Sequence, residues 1–137
     1  MTQSDIKKIV NNLIQTFLDA GKISLDLRKK GLTKEIKSDN TPVSNGDLEV
    51  NKILSKKIFH ITPNIPIVSE ETLENKSKDN LEDFWLIDPI DGTYDYINDL
   101  DEFTINAGLI IQKKPAAGLI YAPAKNRMFY SYGDDLS

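Results

Sequence analysis

The sequence predicts an α+β domain in which two N-terminal helices pack on a mainly antiparallel sheet. Apolar residues recur at helical spacing in two segments of the first 60 residues, and the last third consists of short strand-like runs separated by turns. Apolar residues three and four apart form one stripe on a helix, whereas short runs bounded by Gly, Pro and Asn favour antiparallel strands. With 137 residues and no evident linker or repeat, the chain fits a single domain, residues 1–137.

The first helix is predicted over residues 2–30, and it ends at Gly31. Its apolar stripe consists of Ile6, Ile9, Val10, Leu13, Ile14, Phe17 and Leu18. Residues 32–37 can form a short strand, and the polar residues 38–47 are predicted as a loop by their composition.

The second helix is predicted from the apolar residues between Leu48 and Phe59. Ser44 lies three residues before Asp47, which is a variant of the capping box with Asp in place of Glu. The local pattern alone therefore favours a capping role for Asp47. His60 near the helix end suits the negative end of the helix dipole better than a metal site.

Two apolar strands are predicted to end in carboxylates. Residues 65–68 form a run that stops at Glu70, and residues 84–87 form a run followed by Asp88 and Asp91. Runs without alternation suit strands that are buried on both faces. If the strands lie side by side, the three acids share one edge of the sheet. Because an unpaired carboxylate there costs on the order of several kcal/mol, cations, donors or a metal should meet these acids.

The remaining elements follow in order along the chain. The charged residues 72–83 are predicted as a surface loop, and residues 94–100 as a helical turn. Three consecutive antiparallel strands are then predicted at residues 103–111, 116–121 and 128–132, with turns at residues 113–115 and 123–126.

Composition narrows the classes of function. The net charge is −4 and the pI is about 5.0, which argues against binding of nucleic-acid polymers. The absence of cysteine excludes disulfides and thiolate metal sites. No apolar run is long enough for a signal peptide or a membrane span, so we expect a soluble, cytoplasmic protein.

Acidic ligands without cysteine select hard cations, Mg²⁺ or Mn²⁺, over zinc. Two such ions can activate water and stabilise the leaving oxygen of a phosphoryl group, so the acids predict a metal-dependent phosphatase. The alternating acids of a calcium-binding loop are absent. Gly92 and the free amides of the turn that follows it predict a phosphate-binding geometry.

Several segments, in the same order, resemble the lithium-sensitive, magnesium-dependent phosphatase superfamily, which includes inositol monophosphatases, fructose-1,6-bisphosphatases and bisphosphate nucleotidases. The bacterial 3'(2'),5'-bisphosphate nucleotidases are the most similar branch. The resemblance covers nearly the whole chain and implies the N-terminal part of the layered sugar-phosphatase fold. It is carried by residues 37–44 with Asp47, residues 65–71, Phe84 to Thr93, Glu102 to Asn106, and Gly118 to Pro123.

The resemblance also implies roles for individual residues. Glu70, Asp88 and the carbonyl of Ile90 would bind one Mg²⁺, while Asp88 and Asp91 would help to bind the second. A third ion could be bridged through Glu70 and water, and Mn²⁺ is a substitute metal.

The catalytic set implied is Asp47 and Thr93, which would orient and deprotonate the attacking water, together with Glu70. The implied substrate-binding residues are Glu70, Ile90, Asp91, Gly92 and Thr93, with the amides of Gly92 and Thr93 on the phosphate.

The chain departs from the family pattern at three places in its sequence and in its length. Ser44 replaces a usual Thr, Gly46 replaces a usual Ala, and Tyr94-Asp95-Tyr96 replaces a usual Lys-Glu-Phe. Family members are about twice as long, and their C-terminal half supplies a further metal-binding aspartate.

The leading interpretation is therefore the N-terminal metal-binding domain of an enzyme that converts adenosine 3',5'-bisphosphate to AMP and phosphate. This chain alone is expected to be inactive or weak. The alternatives are an inositol or sugar phosphate phosphatase and, in another class, an inactive fragment or binding module. The expected partner is a small phosphorylated substrate, and a homodimer and a peripheral position at the inner membrane stay open.

Overall fold

A computed structural model describes residues 1–36, 42–69 and 81–132. The elements follow the order α1 (Gln3–Lys30), β1 (Lys34–Ile36), β2 (Pro42–Ser44), α2 (Asn45–Ile61), β3 (Ile67–Ser69), β4 (Phe84–Asp91), α3 (Thr93–Ile97), β5 (Thr104–Ile111), β6 (Lys114–Ala122) and β7 (Arg127–Tyr132). The α+β class and the two N-terminal helices are confirmed.

Among the described residues, the main sheet has five strands in the order β3-β4-β5-β6-β7. β3 and β4 are parallel, and every later pair is antiparallel, so the prediction of a mainly antiparallel sheet is confirmed. The two strands expected to end in acids are indeed neighbours, with Ser69 opposite Ile87.

The core lies between one face of the sheet and the two helices. Helix α1 contributes Val10, Leu13 and Phe17, none of which is exposed, and β5 contributes every second residue from Ile105 to Leu109. Helix α1 packs on β6 and helix α2 packs on β4, so the helices form one layer and the sheet forms another. Burial of these apolar faces is the dominant favourable term in the fold.

Helix α1 begins and ends as its sequence predicts. Thr2 and Asp5 form a complete capping box, in which the Thr2 hydroxyl accepts from the Asp5 amide and the Asp5 carboxylate accepts from the Thr2 amide. The helix ends at Gly31, whose φ of 101° suits glycine. Among the described residues, no helix is long and apolar enough to cross a membrane.

Three details of the sequence prediction are wrong. Residues 42–44, predicted as part of a loop, form β2 and pair with β1, because polar composition does not reveal pairing partners six to ten residues away. The turn expected at residues 113–115 lies at Gln112 and Lys113, and Pro115 belongs to β6 beside a bulge.

The third error concerns burial of β4. Trp85 and Ile87 are buried against the helices, whereas Leu86 is 41% exposed on the opposite face. In the described part of the chain, that opposite face also leaves Ile120 45% and Phe129 57% exposed. Apart from Phe84, which is 8% exposed, the apolar run of the strand is therefore buried on one face and not on both.

Candidate active site

Asp47 is the centre of the described part of the site. Its carboxylate is completely buried at the start of α2. Oδ2 accepts from the Ser44 amide at 3.0 Å and from the Ser44 hydroxyl at 2.5 Å, and the Asp47 amide donates back to the Ser44 hydroxyl at 3.2 Å. The capping box that the sequence predicts is confirmed, and these donors offset the cost of burying a charge.

The second carboxylate oxygen of Asp47 serves a different partner. Oδ1 lies 2.8 Å from the hydroxyl oxygen of Thr93, which also lies 3.1 Å from the carbonyl oxygen of Ile90. A threonine hydroxyl carries one proton, and the charged acceptor at the shorter distance forms the stronger bond. Asp47 therefore caps α2 with one oxygen and holds Thr93 with the other.

A bulge in β4 sets the direction of the two acids that follow its apolar run. Asp88 lies opposite Asn106 and Asp91 lies opposite Thr104, so three steps along β4 match two steps along β5. Side chains three apart on a regular strand would point to opposite faces. The extra residue removes that mismatch and brings both acids to the sheet face away from the helices.

Pro89 lies inside this bulge, and a proline cannot donate to a strand ladder. Pro89 and Ile90 are both buried, Asp88 is half-buried and Asp91 is exposed. Pro89 thus favours a break in the regular pairing of β4 with β5 between Asp88 and Asp91, the two acids that lie on one face.

Gly92 turns the chain from β4 into α3 with φ 88° and ψ 43°. A Cβ there would lie 3.1 Å from the carbonyl oxygen of Glu102, so both the backbone angle and the space favour glycine. Thr93 is the first residue of α3, and the expected helical turn is confirmed but shorter, ending at Ile97.

The neighbouring strand β3 ends beside α2. The Ser69 hydroxyl donates to Oδ1 of Asn51 at 2.6 Å, and both residues are buried. Asn51 lies one helical turn after Asp47, so this bond fixes the end of β3 near the start of α2. Glu70, the next predicted site residue, lies outside the described residues.

The described residues bring together Asp47, Thr93 and Ile90 through hydrogen bonds, and they place Asp88 and Asp91 on one face. Within residues 1–36, 42–69 and 81–132, no three acidic or histidine side chains are grouped closely enough to hold a metal ion. His60 is exposed in the last turn of α2, where the sequence places it.

Comparison with known proteins places this sequence in a family. Residues 5–134 match the inositol monophosphatase family. The chain belongs to this family. Its sequence is 34% identical over 128 residues to the 3'(2'),5'-bisphosphate nucleotidase CysQ of Haemophilus influenzae, a match that covers 92% of this chain and 48% of the relative.

The CysQ protein of Buchnera aphidicola is likewise 34% identical over 132 residues, covering 94% of this chain and 50% of the relative. The chain thus spans about half the length of the curated relatives that it matches.

Two solved structures that match the chain have a similar fold. The suhB protein of Bartonella henselae matches with a TM-score of 0.82 at 22% identity, over 93% of this chain and 50% of that one. The IMPase of Thermotoga maritima matches with a TM-score of 0.81 at 24% identity, over 92% of this chain and 48% of that one.

Sequence reasoning missed two residues that support the site. The Tyr96 hydroxyl donates to the carbonyl of Ser24 at 2.6 Å, and Nη1 of Arg28 donates to the carbonyl of Leu100 at 2.7 Å. Each bond joins residues 72 positions apart. No local pattern identifies such a pair, although the basic last turn of α1 marks Arg28 as a candidate for interaction.

Proposed function

We propose that the chain is the N-terminal metal-binding domain of a magnesium-dependent phosphomonoesterase that converts adenosine 3',5'-bisphosphate to AMP and phosphate. The 34% sequence identity to two CysQ nucleotidases, over 92% and 94% of the chain, supports this substrate. The observation that carries the proposal is the bulge that turns Asp88 and Asp91 to one face, beside the hydrogen bond between half-buried Thr93 and buried Asp47.

The donor set suits hard cations. Carboxylate oxygens of Asp88 and Asp91 and the carbonyl oxygen of Ile90 are ligands that Mg²⁺ accepts, with Mn²⁺ as a substitute. We propose that Glu70, Asp88 and Ile90 hold one ion and that Asp88 and Asp91 hold part of a second. When bound, two such ions supply an activated water and a counter-charge for the leaving oxygen. A relative in complex with Mg²⁺ and phosphate has the same fold, with a TM-score of 0.80 at 17% identity.

Asp47 and Thr93 form the proton-accepting pair of the proposed site. Because the Thr93 hydroxyl donates its proton to Oδ1 of Asp47, its lone pairs can accept a hydrogen bond from the attacking water. The water loses its proton to this pair as its oxygen bonds to phosphorus, and the bond from phosphorus to the 3'-oxygen breaks. The 3'-oxygen then takes a proton from solvent, which completes hydrolysis.

The backbone after β4 is proposed to hold the phosphate. The amides of Gly92 and Thr93 stand where the chain enters α3, and the first amides of a helix have no partner within it. We propose that Glu70, Ile90, Asp91, Gly92 and Thr93 together line the position of the phosphate group.

Metal binding is the first test, because it needs only this chain. Titration calorimetry with MgCl₂ and MnCl₂ should show binding that Asp88→Asn weakens by about tenfold or more, since a carboxylate ligand is lost. Asp26→Asn is the matched control, because Asp26 is exposed on α1. Equal metal affinity of the wild type and Asp88→Asn would contradict the proposed metal site.

Phosphate release is the second test. We expect little or no release by these 137 residues alone, because the family resemblance implies a further metal-binding aspartate in the part of the relatives that the match does not cover. Joined to the second half of the Haemophilus influenzae relative, the chain should release phosphate in a magnesium-dependent manner. Strong release by the chain alone would contradict the first expectation.

An inositol or sugar phosphate is the second candidate substrate, since Tyr94-Asp95-Tyr96 departs from the nucleotidase pattern beside the proposed phosphate position. The two substrate assignments are distinguished by the turnover rates of the joined protein. The substrates to compare are adenosine 3',5'-bisphosphate, inositol 1-phosphate and fructose 1,6-bisphosphate. Faster turnover of inositol 1-phosphate would overturn the nucleotidase assignment.

A further inference from the structure

Tyr96 is buried at the junction of four parts of the molecule. Its side chain is completely inaccessible, and its ring meets the Phe103 ring edge-on at 4.8 Å between centroids. Its hydroxyl donates to the carbonyl of Ser24 in α1. The family resemblance implies Phe at this position, so the hydroxyl and its bond to α1 are features of this chain.

The Tyr96 ring also lies against the backbone that leads to Asp47. A Cβ placed on Gly46 would collide with the ring and hydroxyl of Tyr96, so the ring packs directly on that glycine. Thr93 and Tyr96 lie one turn apart on α3, and Gly46 and Asp47 are adjacent on α2. Tyr96 therefore belongs to one of the two helices that the Asp47–Thr93 hydrogen bond joins and packs against the other.

Arg28 holds the other side of the same segment. Its side chain is 11% exposed; Nε lies 3.3 Å from Asp99 and Nη2 lies 3.2 Å from Asp101, both at Oδ1. The guanidinium lies over the ring of Phe103 at 5.0 Å and near that of Tyr96 at 5.7 Å. It therefore joins the last turn of α1 to the chain that leaves α3.

Helix α3 depends on such anchors because it is only five residues long. Isolated helices of fewer than about twelve residues are marginal in water, since nucleation costs more than a few hydrogen bonds return. The position of Thr93 is thus set by tertiary contacts rather than by the helix itself.

We propose that Tyr96, supported by Arg28, is a positioning residue that keeps the Thr93 hydroxyl within hydrogen-bond distance of Asp47. The catalytic meaning of this inference rests on the proposed function, in which that pair accepts the proton of the attacking water. The mechanical part does not, because it concerns only where α3 lies.

Amide hydrogen exchange on the chain itself tests the mechanical part. Tyr96→Phe removes the bond to Ser24, and we expect exchange of the amides of Tyr96, Asn98 and Leu100, which close α3, to rise about three- to tenfold. Amides of β5 and β6 should be unchanged. Tyr94→Phe is the matched control, because it removes an exposed hydroxyl from the same helix. Unchanged exchange in α3, or an equal rise throughout the sheet, would overturn the inference.

Arg28→Met and Arg28→Lys provide an independent pair of variants. Arg28→Met removes the charge and the N–H donors of the guanidinium group while keeping an unbranched aliphatic side chain. It should therefore raise hydrogen exchange in the same three amides. Arg28→Lys keeps the charge and should restore part of the protection. Equal exchange in both variants and the wild type would remove Arg28 from the proposal.

Kinetics of the chain joined to the second half of the Haemophilus influenzae relative test the catalytic part. Tyr96→Phe should lower kcat by about tenfold, while KM and the Mg²⁺ concentration for half-maximal rate stay unchanged. A change in KM or in metal activation alone would contradict positioning of Thr93. If the wild type releases no phosphate, the proposed function fails, and hydrogen exchange still decides whether Tyr96 positions α3.

Discussion

At the scale of single residues, the site depends on how the buried carboxylate of Asp47 is satisfied. Ser44 supplies two donors to Oδ2, and Thr93 supplies the donor to Oδ1. Removing the donor of a buried acceptor lowers the free energy of unfolding by about 1–3 kcal/mol. A substitution that keeps the hydroxyl keeps most of the hydrogen bond. The Thr93 side chain therefore contributes to stability as well as to the proposed chemistry.

Thr93→Val tests this contribution, because it keeps the shape of the side chain and removes the hydroxyl. We expect urea denaturation to show a loss of about 1–3 kcal/mol in the free energy of unfolding. Thr93→Ser, which keeps the hydroxyl, should stay within about 0.5 kcal/mol of the wild type. Equal stability of the valine variant and the wild type would show that Asp47 does not need this donor.

Tyr96 gives the molecule an alkaline pH dependence. Burial first, and then the nearby Asp47 charge, raise the pKa of Tyr96 well above its ordinary value, and Arg28 opposes this shift. The folded state therefore favours the neutral phenol. Its contribution to stability is fully present below the unfolded pKa of about 10 and is lost as pH rises above that value toward the folded pKa.

The expected signature is a steeper fall in stability above pH 10 for the wild type than for Tyr96→Phe, by about 1.4 kcal/mol per pH unit. Urea denaturation between pH 9 and 11.5 measures the difference. Tyr94→Phe, which changes an exposed tyrosine, should keep the slope of the wild type. Parallel curves for the wild type and Tyr96→Phe would contradict a raised pKa.

At the scale of elements, the β5–β6 hairpin carries backbone strain in its two-residue turn. Gln112 and Lys113 have φ of 51° and 63°, which are left-handed values that favour Asn and Gly. A residue with a Cβ pays roughly 1–2 kcal/mol for the left-handed conformation. The turn geometry persists because the amides of both residues bond to Asp83 and Glu82.

Lys113→Gly should relieve this strain and raise the free energy of unfolding by about 1 kcal/mol. The neighbouring Lys114→Gly is the matched control, because Lys114 lies in β6 and a glycine there should cost roughly 0.5–1 kcal/mol. Urea denaturation of both variants should show a higher free energy of unfolding for Lys113→Gly and a lower one for Lys114→Gly. A loss of stability in both would show that the turn is not strained.

The elements also show how far the sequence could predict the structure. Periodicity located α1 and the core of α2, and the Ser44–Asp47 spacing located the start of α2, because these signals are local. The bulge in β4 depends on its register with β5, which is set by pairing across the sheet. Sequence order therefore identified Asp88 and Asp91 as candidates, but not the backbone feature that turns them to one face.

The contacts of Arg28 and Tyr96 could not be predicted for a similar reason. The hydrogen bonds from Arg28 to Leu100 and from Tyr96 to Ser24 each link residues 72 positions apart. Neither Arg28 nor Tyr96 belongs to a motif of acids and glycines. The proposed role of Glu70 stays a prediction, since that residue lies outside the described ranges.

At the scale of the whole molecule, the helices in the described part of the chain pack on one face of the five-stranded sheet. The described part of the other face carries Asp88 and Asp91 of β4. The exposed side chains of Ile120 and Phe129 lie on the same cross-strand row as Asp88, and exposed Leu86 lies two residues before it. Ile120 and Phe129 are direct cross-strand partners, so they form a continuous apolar surface. Apolar surfaces of this kind drive association in water.

We therefore expect sedimentation velocity to show concentration-dependent self-association of the isolated chain. Phe129→Lys should shift the distribution toward monomer, because a charge on this face must be desolvated when two copies meet. Phe59→Lys is the matched control: Phe59 is 61% exposed, but it lies on α2 in the helical layer. If Phe59→Lys dissociates the complex and Phe129→Lys does not, the copies meet through the helices. A wild-type chain that stays monomeric at every concentration would show that the open sheet face is stable in water by itself.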